Sequence, residues 1–210
     1  MSGSTTMANN PVITCDDNHI YRADGVIVPG VTEVLSIFAD YARVPRAVLE
    51  NKRMIGRAVH HAIALYETDS LDPDSIDDSW VGFFEGWIKL KADVPGKVVA
   101  SEQIVYHPKY RYAGRLDINY ALEAGGLWQW DVKCVDKMSP ATALQTSGYS
   151  EAWNEMHPYD RQITKRAGVQ LCPDGSYVFH PYTAPTYRND FNIFLNALAI
   201  RNWINNHGGK

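Results

Sequence analysis

The chain has 210 residues, 45% hydrophobic and 21% charged, enough for one domain with a sizeable core. A net charge of −4 argues against a protein that coats nucleic acid, but leaves room for an enzyme with a local basic patch. The chain has no run of 18 apolar residues, so no membrane span is expected. Its three scattered cysteines, Cys15, Cys134 and Cys172, argue for a reducing cytoplasm and against a disulfide framework or a four-cysteine iron–sulfur cluster.

Residues 1–18 are expected to form a flexible polar tail, and 19–210 a single domain. Residues 19–30 read as two short extended segments around an Asp24-Gly25 turn. Thr32 suits the N-cap of a helix, TEVLSIF. A helix is expected over 45–68, with Pro45 in its first turn and Gly56 as an interruption. An acidic loop, 70–79, precedes a helix at 80–92 rich in Phe83, Phe84, Trp87 and Leu90. Strands are expected at 98–106, 111–123 and 127–135. Ser139-Pro140 opens a helix to about Trp153. Two further strands, 166–171 and 176–180, flank Pro173-Asp174-Gly175. A last helix, 186–204, carries Tyr187, Phe191, Phe194, Leu195 and Leu198 on one stripe. This order predicts an α/β fold: a mixed central sheet with an antiparallel hairpin, flanked by helices.

The hairpin carries the chemistry. In 111–123 the even positions Tyr112, Leu116, Ile118, Tyr120 and Leu122 are apolar, and the odd ones include Arg115, Asp117, Asn119 and Glu123. In 127–135 Trp128, Trp130, Val132 and Cys134 alternate with Gln129, Asp131 and Lys133. A three-residue loop, Ala124-Gly125-Gly126, would pair Glu123 with Leu127 and set Asp117 opposite Lys133 and Asn119 opposite Asp131. A slip of two residues keeps the polar faces matched; a slip of one breaks them. The alternative is a solvated face with a cross-strand ion pair. Two neighbouring carboxylates favour a divalent cation, and a lysine two residues from one of them can orient or activate a water for attack on a phosphodiester.

Gly114-Arg115-Leu116-Asp117 followed by Asp131-Val132-Lys133 resembles the core of the PD-(D/E)XK nuclease superfamily, in its RecB-like and phage exonuclease-like branch. Gly56-Arg57-Ala58-Val59-His60, with Glu67 beyond it, resembles the helix that supplies an extra metal ligand. Glu102 resembles the glutamate one strand ahead of the core, and Gln145-Thr146-Ser147-Gly148-Tyr149 the helix that follows the lysine. PGVTEVL is similar to the opening segment of such chains. The resemblance implies a restriction-endonuclease-like core. It implies Mg²⁺ or Mn²⁺ held by Asp117, Asp131, His60 and the Val132 carbonyl, with Lys133 on the water and Glu102 in the catalytic set. Gln145 and Tyr149 would then touch substrate.

Arg43, Arg46, Lys52, Arg53 and Arg57 form a basic run leading into His60, a candidate contact for the DNA backbone with Arg53 and Arg57 foremost; Lys165 and Arg166 are a weaker version. Trp128 and Trp130 lie with the apolar positions and are expected in the core. The expected function is metal-dependent cleavage of DNA, as an exonuclease in phage-type recombination or processing. It would act in the cytoplasm (the host's, if phage-encoded), beside a single-strand annealing or recombination protein or as a homo-oligomer. An endonuclease with the same site, and a catalytically silent DNA-binding protein on the same fold, are the alternatives.

Overall fold

The structure, a computed structural model, describes residues 11–39 and 44–208. Three short strands, β1 (Ile13–Cys15), β2 (Tyr21–Ala23) and β3 (Val26–Val28), form an antiparallel sheet. Asp24 and Gly25 join β2 to β3 with φ of 49° and 79°, positive at both turn positions as a tight hairpin requires. The expected tail therefore does not extend to residue 18, because Ile13–Cys15 pair with Tyr21–Ala23. Helix α1 (Val31–Leu35) is capped by Gly30, whose N–H donates to the Glu33 carboxylate. Thr32, expected as the cap, lies inside the helix.

Helix α2 (Arg46–Tyr66) runs through Gly56 without interruption, and α3 (Val81–Asp93) follows the acidic loop. The main sheet contains β4 (Gly96–His107), β5 (Tyr112–Leu122), β6 (Leu127–Cys134), β7 (Ile163–Leu171) and β8 (Tyr177–Tyr182), in that spatial order. Only β6 and β7 are parallel, and they are joined by α4 (Ala141–Met156), the long crossover that parallel neighbours need. The chain closes with α5 (Ala184–His207). The expected mixed sheet flanked by helices is the observed fold.

The helices bury two apolar clusters. One joins Val31 of α1, Tyr149 and Trp153 of α4, and Phe194 of α5 to Tyr112 and Leu116. The other joins Ile63 of α2 and Trp87 and Leu90 of α3 to Ile118, Tyr120 and Trp130. Trp130 stacks on Tyr120 at 4.0 Å and meets Trp87 edge-on at 6.2 Å. Such aromatic pairs contribute about 0.5–1.5 kcal/mol each beyond the burial itself. As expected, Trp130 is core.

Helix α3 also fixes α2. The Glu67 carboxylate, at the end of α2, accepts from Trp87 Nε1 (3.0 Å) and from Lys91 Nζ (2.9 Å). Glu67 is thus a structural anchor for the helix that carries His60. Helix α3 in turn sits hard against the β7–β8 turn, where a Cβ on Gly82 would lie 1.9 Å from the Pro173 carbonyl oxygen. Gly82→Ala must push that turn away. It is expected to lose about 1–3 kcal/mol, read as a lower urea midpoint at unchanged m-value. An unchanged midpoint would contradict the close approach.

Candidate metal centre and active site

The site forms where two strands change face together. β4 and β5 pair with constant register through Ser101↔Ile118 and Gln103↔Leu116, and Glu102 and Asp117 sit between these levels. Below this point Tyr112 and Leu116 face the α4 cluster; above it Ile118 and Tyr120 face the α2–α3 cluster. In β4, Ala100 and Val105 have opposite parity yet join one cluster. Simple alternation cannot do this. The break coincides with Glu102, a non-glycine residue at φ 51°, a conformation that costs about 1–3 kcal/mol. The even positions of β5 are therefore apolar, as expected, but do not form one face.

The hairpin itself differs from expectation by one step. Leu122 N–H donates to the Gly126 carbonyl, so the loop is Glu123-Ala124-Gly125, closed with Gly125 and Gly126 both at φ 94°. Asn119 then pairs with Gln129, where Asp131 was expected. This is the two-residue slip that preserves parity, and Asp117, Asp131 and Lys133 still converge. Lys133 Nζ lies 2.6 Å from Asp131 Oδ2 and 3.9 Å from Asp117 Oδ2.

Helix α2 brings His60 over the break. Its Nδ1 lies 3.2 Å from Glu102 Oε1 and 3.7 Å from Asp117 Oδ1. Its Nε2 lies 2.9 Å from the Val132 carbonyl oxygen and donates to it. That bond fixes the tautomer and turns the Nδ1 side toward the two carboxylates. Asp117 Oδ2 in turn accepts from Val132 N–H at 2.8 Å. Ligand atoms of His60, Glu102 and Asp117 all lie within 4.8 Å of one another. A neutral imidazole would set a lone pair against two anions, so the arrangement calls for a cation: a proton or a metal. One nitrogen and two carboxylate oxygens suit a small divalent ion. The donor set fits the implied Mg²⁺ or Mn²⁺.

Two expected ligands stand elsewhere. Asp131 is fully buried and faces Lys133 outside the three-residue donor group. The Lys133 contact is an ion pair without hydrogen-bond alignment, and both Asp131 oxygens lack a hydrogen-bond donor. The Val132 carbonyl is taken by His60. Burial pushes the Asp131 carboxyl up, against the pull of Lys133 and with the push of Asp117. Burial would lower Lys133, but Asp131 and Asp117 outweigh it and raise it above the usual lysine value. Burial likewise opposes charge on His60, yet Asp117 and Glu102 hold its pKa up at about 9.

The remaining candidates divide. Gln145 lines a cavity of about 600 Å³ together with Lys133 and Arg53. Tyr149, expected to touch substrate, is 3% exposed, and its hydroxyl accepts from Gln145 Nε2 at 3.3 Å, so it backs Gln145. Gly114 makes room for that ring, since a Cβ there would lie 2.5 Å from Tyr149 Cε1. Arg53 and Arg57 are exposed on α2 with no carboxylate partner among the described residues. Lys52 pairs with Asp136 and Arg46 with Glu50; Arg43 lies outside the described residues. Arg166, read as a surface cation, is interior, tying the Ala143 carbonyl of α4 to Asp190 of α5. Phe38 and Lys137, which also line the cavity, carried no signal in the sequence. One lies in an apolar helix run and the other in an aperiodic loop.

No family model matches the chain, and no curated protein matches it in sequence. Among solved structures, an alkaline exonuclease (LHK-Exo) from Laribacter hongkongensis is similar at a TM-score of 0.38 and 11% identity, over 85% of this chain and 92% of that one. LHK-Exo in complex with dAMP gives 0.31 and 11%, over 86% and 93%. At scores this low the likeness assigns no activity.

A metal on His60 must displace its proton. His60 holds that proton more tightly folded (about 9) than at its ordinary value of 6.5. Metal-free, it therefore adds stability that is full below about pH 6.5 and is lost as pH rises through about 9. Metal binding runs the opposite way. Mn²⁺ affinity is expected to rise about tenfold per pH unit between roughly pH 7 and 8, measured by titration calorimetry, and His60→Asn should flatten the rise. An affinity independent of pH in the wild-type chain would contradict His60 as a ligand.

Proposed function

We propose that this chain is a metal-dependent deoxyribonuclease that hydrolyses phosphodiester bonds. The observation that carries the reading is the convergence of His60, Glu102 and Asp117 within 4.8 Å, with Lys133 Nζ at 3.9 Å from the same Asp117. His60, Glu102 and Asp117 would hold Mg²⁺ or Mn²⁺, and Asp131 joins them if Lys133 releases it. Such an ion, when bound, lowers the pKa of a coordinated water and draws charge from a phosphoryl oxygen. Glu102 and Asp117 supply the negative charge that retains the cation. Val132 N–H and the Val132 carbonyl hold Asp117 and His60 in position.

Lys133 enters the reaction as a cation. The two aspartates keep its ammonium protonated near neutral pH, which suits it to orient a water or to stabilise charge developing on phosphate oxygens, not to accept a proton. Gln145 and Arg53, which line the adjoining cavity, would contact the substrate backbone. Within this reading, the motif resemblance supports an exonuclease that processes DNA ends in phage-type recombination, beside an annealing partner or as a homo-oligomer.

The test is cleavage of end-labelled linear DNA and closed circular DNA, with Mg²⁺ or Mn²⁺ and with chelator. Wild type should cut the linear DNA only with metal and spare the circle. Asp117→Asn and Lys133→Ala should each lose about 10²–10³-fold in rate. Equal cutting by wild type and both variants would sink the assignment. Cutting of the circle would replace exonuclease by endonuclease on the same site.

A further inference from the structure

The cavity beside Lys133 combines features that the cleavage chemistry alone does not require. Its lining includes three cations, Arg53, Lys133 and Lys137, and no carboxylate among the described residues, in a chain whose net charge is −4. Neither Arg53 nor Lys137 has an ion-pair partner among the described residues. Its apolar wall includes Leu35 and Phe38, and Phe38 is 52% exposed.

We propose that this cavity seats the unpaired end of a DNA strand, with a base against Phe38 and the backbone phosphates on Arg53 and Lys137. The inference deepens the nuclease reading by naming its substrate class, and rests on that reading only for the cut itself. The volume of about 600 Å³ lies in the range of pockets that enclose small molecules, room for a nucleotide or so. A base inside a duplex is stacked on both sides and offers no free face to Phe38. An unpaired base does, whatever its identity, because every base has a π-face. Lys133 belongs both to the cavity and to the reacting centre, so a strand seated here has a phosphate beside Asp117 and Asp131. The surface thus selects for strand state and not for sequence.

Binding is measured by fluorescence anisotropy on the full chain in chelator, so that no cutting occurs. The probes are a blunt duplex and the same duplex with a short single-stranded overhang. Wild type should bind the overhang more tightly. Phe38→Ala should weaken overhang binding about 5- to 100-fold and leave blunt binding unchanged, while Phe38→Trp retains the preference. Lys137→Gln should lower the slope of log Kd against log salt by about 0.7. Phe38→Ala binding both probes as wild type does, or a wild type that prefers the blunt duplex, would overturn the proposal. Because binding is read without cleavage, these outcomes stand apart from the nuclease test. A chain that binds overhangs through Phe38 but never cuts loses only the nuclease reading; one that cuts but ignores Phe38→Ala loses only the groove.

Discussion

Glu102 and Asp117 reach the same imidazole nitrogen from two adjacent strands, and the repulsion between them organises the rest of the site. Regular alternation would send the apolar residues flanking Asp117 to one side. The shared break in β4 and β5, with Glu102 at positive φ, lets Leu116 and Ile118 bury on opposite faces of the sheet. The backbone strain is offset by those two burials. What remains is an excess of carboxylate charge beside one imidazole and one ammonium, which a divalent cation held by His60, Glu102 and Asp117 would offset.

Support for this point comes from far along the chain. His60 is set by α2, α2 is tied by Glu67 to Trp87 and Lys91 of α3, and α3 rests through Gly82 on the β7–β8 turn. On the other side, Gly114 admits the Tyr149 ring, which backs Gln145 at the cavity wall. Both glycines act through the absence of a side chain: each permits an approach that places a functional residue it never touches.

Much of this was legible in the sequence. The parity of Asp117, Asp131 and Lys133 survived a two-residue error in register, because parity depends on the pleat and register on the turn. The loop residue count was right and its position was off by one, since Gly125 and Gly126 can each supply a positive φ. The face change at Asp117 was hidden, because apolar residues at every even position look the same whether they share one core or divide between two. Arg166 looked like a surface cation for a related reason: its partner Asp190 comes from α5, and only the tertiary structure brings them to 2.8 Å. Glu67 was similarly spoken for by α3. Phe38 and Lys137 had no periodic context to mark them, as cavity walls are assembled from loops and helix ends.

The proposed chemistry depends on His60, Glu102 and Asp117 forming one cation site. Crystals of the wild-type chain soaked in Mn²⁺ and measured for anomalous scattering test it most directly. A manganese peak is expected among His60 Nδ1, Glu102 and Asp117, absent from Asp117→Asn crystals treated in the same way. A peak held by other residues, or no peak at a concentration that supports DNA cleavage, would contradict it.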